Sequence, residues 1–411
     1  MYDFIVLADW LEFAVRWLHV ITAIAWIGSS FYFIALDLGL HRDRNLASGA
    51  DGEEWQVHGG GFYHIQKYLV APERMPDDLV WFKWESYATW LSGFALLFLV
   101  YYLGADLFLV DPGVLDLATW QAIAISLVSL GLGWLVYDML CKSPLGESPT
   151  VLMVLLYLVL VGLAFFYTHV FSGRAALLHL GAVTATIMSA NVFMVIIPNQ
   201  KVVVADLIAG RVPDPRFGKI AKLRSTHNNY LTLPVLFMML SNHYPLAFAT
   251  ENNWIIASLV FLMGVTIRHW FNTRHARRGS PTWTWIATIL LFLVIAWLST
   301  APLFRAEAEG TAALPPAAQR FADAEDFAEV ESIVMGRCSM CHASEPFYDG
   351  IHWAPKGVIL ETPGQIAAYA REIYLQAGVS HAMPPANASF IEPEERARII
   401  AWYRGVTRGE G

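Results

Sequence analysis

The sequence predicts an all-α chain in two parts: a polytopic membrane helical bundle of about eight spans, then a small soluble helical domain. Three observations carry this. The 411 residues are 56% hydrophobic with a mean hydropathy of +0.45, above the ~45–50% apolar share of an ordinary soluble globule. The excess is confined to residues 1–304, whereas 321–411 have soluble composition. Between them, residues 305–320 are rich in Ala, Glu and Pro and read as a linker.

A helix needs ~20 apolar residues to cross the hydrocarbon core. Eight segments qualify: 10–36, 85–103, 119–140, 150–170, 175–198, 228–248, 253–271 and 282–301. The first lacks the basic leader and small-residue cleavage site of a secretory signal and runs too long for one. The loops after spans one, three, five and seven carry fifteen Lys or Arg, against Arg174 alone after spans two, four and six. The basic loops are therefore expected on the cytoplasmic side of a bacterial inner membrane, with both termini periplasmic. A net charge of −8 with no basic patch gives no sign of nucleic-acid binding. The first cytoplasmic loop, about 48 residues, contains Trp55, the run His58-Gly59-Gly60-Gly61-Phe62-Tyr63-His64 and Lys67. Loops of this length are uncommon unless functional. Without a Gly-x-Ser-x-Gly nucleophile, the glycines are read as a tight turn.

In the soluble part, Cys338-Ser339-Met340-Cys341-His342 has the spacing that attaches a c-type haem: two thiols for the vinyl groups, then an imidazole for the iron. A thioether as sixth ligand raises the reduction potential. Met383, in His381-Ala382-Met383-Pro384-Pro385 about 40 residues on, is assigned that role. His381 is the competitor, and Met340 lies too close to the attachment to cross the porphyrin plane. A zinc half-site would want two more Cys or His nearby, and a redox dithiol would not need His342. Cys141, the third cysteine, stands alone and reads as packing. Helices are expected over 323–335, 363–376 and 392–404. The second carries Ile366, Tyr369, Ala370 and Ile373 on one face, and the third Ala397, Ile400, Ala401 and Tyr403. This order resembles a class I cytochrome c over about 90 residues. Such haems are attached on the outer face, the same side that the loop charges give.

Ionisable groups inside membrane spans are functional candidates. Seven histidines fall in or beside the spans: His19, His64, His169, His179, His227, His243 and His269. His19 lies ~14 Å from the outer end of span one. His169, His179 and His243 also fall in the outer half, on the haem side. His227 and His243, ~24 Å apart along one helix, cannot share a metal. A single such histidine is most simply a helix cap or a bond to a neighbouring carbonyl. Four at one depth suit either a b-type haem held by two imidazoles or a substrate pocket with acid–base groups. Arg174 is a candidate anion clamp, because a guanidinium engages two acceptors at once. Glu12 and Arg16, four apart, form a simpler ion pair.

Several stretches together carry a family resemblance. They are Trp17-Leu18-His19 with Ala25-Trp26-Ile27-Gly28-Ser29-Ser30-Phe31, then Gly60-Gly61-Phe62-Tyr63-His64 with Lys67. Met188-Ser189-Ala190-Asn191-Val192 with Ile197-Pro198-Asn199-Gln200 follow, and His227-Asn228-Asn229-Tyr230 runs to Ser241-Asn242-His243-Tyr244-Pro245. The chain resembles the bacterial membrane-bound urate oxidases, an eight-span domain fused to a C-terminal cytochrome c. That resemblance implies oxidation of urate to 5-hydroxyisourate, with electrons entering haem c and leaving to a soluble cytochrome c or a terminal oxidase. Urate is a monoanion that must lose a proton as electrons leave. His19, His179, His243 and Arg174 are accordingly the candidate catalytic groups, with Asn191, Asn228 and Asn229 offering amides. Two alternatives remain open at this point: a quinol-driven cytochrome c reductase, and a membrane anchor carrying a passive electron conduit.

Overall fold

The structure, a computed structural model, describes residues 4–42, 45–68, 76–300, 314–348, 351 and 354–408. Within them the chain is mostly helical. The first helix, α1 (Phe4–Gly39), is followed by a hairpin of β1 (Ala50–His58) and β2 (Gly61–Tyr68). Then come α2 (Trp84–Leu96), running into a π-helical turn at Leu97–Tyr102, and the short α3 (Ala105–Phe108). Next are α4 (Thr119–Lys142), α5 (Pro149–Thr168) and α6 (Gly173–Ala190), which continues through a π-helical turn at Asn191–Ile196 into α7 (Ile197–Ile208). The bundle closes with α8 (Pro215–Ser241), α9 (Pro245–Phe248), α10 (Asn253–His275) and α11 (Trp283–Thr300).

Among the described residues six helices are long and apolar enough to cross a membrane: Val6–Gly39, Thr119–Lys142, Pro149–Thr168, Gly173–Ile208, Asn253–His275 and Trp283–Thr300. The other two expected spans are helical but do not meet that standard. One is the 13-residue α2 with its six-residue π turn. The other is α8, whose first half carries Arg216, Lys219, Lys222 and Arg224. The boundary of that sixth span is corrected. It runs 215–241, opened by Asp214, which accepts from Arg216 N, with Pro215 in the first turn. The expected end at 248 is replaced by a turn at 242–244 and the separate α9. Large apolar side chains on α1, α4 and α11, such as Trp10, Phe13, Val128, Phe292 and Trp297, face outward. Such a surface suits lipid.

The hairpin departs from the all-α expectation, while the tight-turn reading of the glycines holds. Gly59 and Gly60 both have positive φ, +60° and +80°, the conformation of a two-residue hairpin turn. The alternating residues between two polar-flanked ends therefore pair, with Trp55 opposite His64 and their rings stacked at 4.2 Å.

The bundle helices approach closely where small residues permit. A Cβ at Gly264 of α10 would lie 2.6 Å from the Pro234 ring of α8, and one at Gly181 of α6 would lie 2.7 Å from Met238. One core cluster joins α2, α4, α5, α6, α8 and α10.

A second core cluster gathers the C-terminal helices α12 (Pro316–Ala322), α13 (Phe327–Arg337), α14 (Pro363–Ala368), α15 (Ala370–Ile373) and α16 (Pro393–Arg408). Much of the expected linker, 305–313, lies outside the described residues, but its end is helical: α12 begins at Pro316 and buries Ala317 and Ala318. On α16 Ile399, Trp402 and Tyr403 are buried and Ile400 packs against the same core, so Tyr403 and Ile400 of the expected face point inward while Ala397 and Ala401 are exposed. The Trp402 indole N–H donates to the Phe321 carbonyl at 3.1 Å.

This second unit sits on one end of the bundle. Arg371 Nη2 reaches Asp9 at 3.1 Å and Glu12 at 3.7 Å, Arg320 reaches Asp106 at 3.5 Å, and Gly357 packs against Pro245. The hairpin lies at the other end, where Lys67 and Lys222 pair with Asp37 and Arg277 meets His41.

Candidate functional site

The residues expected to hold a haem stand in a fitting arrangement. Cys338 follows the last turn of α13, and both Cys338 and Cys341 are free thiols. Burial pushes the Cys338 thiol up to about 11, which favours the neutral thiol there. His342 Nδ1 lies 2.9 Å from the Val358 carbonyl. A carbonyl only accepts, so Nδ1 donates and Nε2 is left for a metal, the usual second contact of a ligating imidazole. Met383 packs in the same core as Cys338, and Arg396 donates to its carbonyl at 2.9 Å. Among the described residues no three of His, Cys, Asp and Glu converge as metal ligands, so the two cysteines find no further zinc donors there.

The turn that supports His342 touches the bundle. Lys356 and Gly357 immediately precede Val358, and Gly357 lies against Pro245, two residues beyond His243. His243 stands within electrostatic reach of Arg16, Arg174 and Lys356. Arg174 is half-buried, lies 5.9 Å from the Phe248 ring and is in reach of Tyr369 and Glu372 of the C-terminal unit. The pairing of Arg16 with Glu12 holds, at 2.5 Å. The result is a seam whose bundle side is mixed in charge: Asp9, Glu12 and Asp106 take up Arg371, Arg16 and Arg320, while Arg174 and the exposed His243 stand beside them. On its other side Glu372 is held above the usual carboxylate range, mainly by burial, with Glu12 adding and Arg371 and Arg174 opposing.

Two of the four candidate membrane residues, Arg174 and His243, thus come together. The other two lie deeper and apart. His19 bridges α1 to α2, its Nδ1 3.0 Å from the Thr89 carbonyl and 3.1 Å from Ser92 Oγ, over Gly93, which leaves room for the ring. His179 is fully buried between α6 and α4, with Nδ1 2.7 Å from the Ala175 carbonyl and Nε2 2.8 Å from Ser126 Oγ. Both nitrogens of His179 are satisfied. No hydrogen bond joins it to His19, His169 or His243, and His169 bonds back to the Phe165 carbonyl.

The bundle's densest buried polar group lies at the opposite end, where sequence reasoning placed only His227 and three asparagines. Tyr137 Oη meets His227 Nδ1 at 2.8 Å and accepts from Asn191 Nδ2 at 3.1 Å. Asn191 also donates to Asn228 Oδ1 at 3.0 Å and accepts from Arg224 at 3.0 Å. Arg224, 2% exposed, pairs with Asp138 at 2.6 Å. The asparagine is available because the π-helical turn beginning at Asn191 carries it inward. On the other face of α8, Asn229 accepts from Arg268 and Asn272. Arg224, Asp138 and Arg268 were missed. Their signal was charge within otherwise apolar spans, or just outside the expected one for Arg224.

With this geometry in place, the chain can be set beside known proteins. The family model described as urate oxidase N-terminal matches residues 5–299, and the chain belongs to that family. No curated protein and no solved structure matches it.

Proposed function

We propose that this member of the urate oxidase N-terminal family oxidises urate to 5-hydroxyisourate, and that the electrons leave through a c-type haem held by its own C-terminal domain. In this reading 1–304 is an eight-span inner-membrane domain, 305–320 a linker and 321–411 a cytochrome c domain on the periplasmic side. The carrying observation is the seam: Arg174 and His243, a cation and a base, stand beside the turn that supports His342.

A urate monoanion plus water yields neutral 5-hydroxyisourate, one proton and two electrons. Arg174 would hold the monoanion by charge and fork geometry. His243 is the group placed to take the proton. His19 and His179 keep the bundle beneath them in register rather than touch the substrate, unless two imidazoles at that depth hold a b-type haem. The C-terminal domain would supply Cys338 and Cys341 as thioether anchors and His342 and Met383 as axial ligands. That group, when bound, accepts one electron at a time, so an outside acceptor, a soluble cytochrome c or a terminal oxidase, must draw off the first before the second arrives.

The test is an anaerobic absorbance titration of the purified chain with urate. The reduced c-type band should grow and saturate near half an equivalent of urate per chain, because each urate gives two electrons. Saturation near one equivalent would reveal a second electron store in the bundle. No reduction by urate, with full reduction by dithionite, would overturn the substrate, and reduction by a quinol instead would favour the quinol-driven alternative.

A further inference from the structure

Arg268 of α10 is 5% exposed. Among the described residues no carboxylate pairs with it, in contrast to the equally buried Arg224, which Asp138 neutralises at 2.6 Å. An unpaired buried cation is among the costliest groups a protein carries, so its surroundings call for an explanation. Its Nε donates to Asn229 Oδ1 at 3.3 Å and its Nη2 to Asn272 Oδ1 at 3.1 Å. Asn272 Nδ2 donates to the same Asn229 oxygen at 2.9 Å. The Asn229 oxygen is thus used twice, while its Nδ2, in the same amide plane and beside the guanidinium, has no partner although the residue is fully buried. The guanidinium stands over the Phe31 ring at 4.0 Å.

These are an unpaired cation, an orphan donor next to it and an aromatic face. A neutral or cationic occupant would leave the first uncompensated. A planar anion rich in carbonyl oxygens would satisfy the first two, giving charge and paired acceptors to Arg268 and an acceptor to Asn229, in the plane of a guanidinium that already stacks on Phe31. The cluster lies ~22 Å along α10 from Asn253, far from the seam. His275, in electrostatic reach of both Arg268 and Glu54 of β1, marks its rim and has an unpartnered Nδ1.

We infer that the Arg268–Asn229–Asn272–Phe31 cluster is a binding site for a planar purine-type anion, urate itself under the function proposed above, entered from the face opposite the haem. Recognition at this end is then separate from oxidation at the seam, and the inference rests on urate being the substrate.

The experiment measures equilibrium binding of radiolabelled urate to the full-length purified chain, with dithionite present so that no turnover occurs, together with kcat and KM for urate-driven haem reduction. Arg268→Gln and Asn229→Leu should each remove about one bound urate per chain and raise KM about tenfold or more, with kcat at saturating urate nearly unchanged. Arg268→Lys, which keeps the charge and loses the fork, should fall between. If Arg268→Gln does not fold, Asn229→Leu, which alters no charge, decides. Unchanged binding and KM in a folded Asn229→Leu would overturn the site while leaving the proposed function standing. A wild-type chain that binds no urate and shows no reduction with it would overturn both. Loss of urate binding on adding chloride alone at equal concentration would show an unselective inorganic-anion site and overturn the purine assignment.

Discussion

Replacing Asp138 by Asn tests whether the buried network around Arg224 behaves as the contacts dictate. Asp138 and Arg224 are 8% and 2% exposed at their side chains and 2.6 Å apart. Asn keeps the shape and removes the charge, leaving the guanidinium buried and unpaired. Breaking one side of such a pair costs ~3–5 kcal/mol. Lys142, the other partner of Asp138 at 2.6 Å, is 70% exposed and adds little. Arg224 keeps its bond to Asn191 at 3.0 Å and its place 4.9 Å from the Tyr137 ring, which offsets part of the loss. The expected destabilisation is therefore at the lower end, ~3 kcal/mol, roughly a 150-fold change in the unfolding equilibrium. The assay is denaturant unfolding of the purified chain in detergent micelles, followed by tryptophan fluorescence. The double variant Asp138→Asn/Arg224→Met should recover much of the loss, because a neutral side chain of similar length removes the orphan charge. A single variant within ~1 kcal/mol of wild type, or a double variant as bad as the two singles added, would refute the reasoning.

Three further changes probe the rest of the site. Arg371→Glu places a third carboxylate against Asp9 and Glu12; because Arg371 is a quarter exposed, stability should change by under ~1 kcal/mol, but urate-driven haem reduction should slow several-fold at low salt and recover as salt screens the repulsion. Unchanged rates in stopped flow would mean this contact does not hold the domains in their working arrangement. Glu372 has a folded pKa above its ordinary 4.5, chiefly through burial, so the folded state holds the proton more tightly than the unfolded one. Its contribution is fully present below pH 4.5 and is lost as pH rises through the raised value. Glu372→Gln should therefore melt higher at pH 8 and show a flatter dependence of Tm on pH between 4 and 8; an identical pH slope would count against it. Gly93→Ala would put a Cβ 2.9 Å from His19 Cε1, forcing the ring off Thr89 and Ser92 at about 1–2 kcal/mol, with the haem spectrum intact. A variant as stable as wild type would show that the ring has room to shift.

Much of the helical layout was legible because hydropathy and length act locally. The Glu12–Arg16 pair was legible because it is defined by spacing. What escaped depended on partners distant in sequence. Span six was placed at 228–248 because Arg216 to Arg224 look like loop residues, yet the Asp214 cap and Pro215 start the helix thirteen residues earlier. Arg224 is then drawn inward by Asp138, 86 positions away. The π-helical turn that brings Asn191 into the network has no composition of its own. The hairpin was hidden by reading the whole segment as a loop, although Gly59-Gly60 between alternating residues carried the signal. His19 and His179 illustrate the reverse error: similar depth suggested convergence, but α2 and α4 supply their partners instead.

Helix lengths separate the two tasks this chain is proposed to perform. Electron transfer falls steeply with distance, so oxidation belongs near the turn that supports His342, where the bundle offers Arg174 and His243. The unpaired Arg268 lies at the other end. The 12-residue step from Asn229 to Ser241 on α8 measures that gap at ~18 Å, too far for one bound urate to touch both ends. A substrate recognised beside Arg268 must therefore move before it reacts. Had the chain bound urate only at the seam, the buried charge of Arg268 would be offset by two amide oxygens and the Phe31 ring but by no anion, which is the physical reason to look for the substrate at both ends.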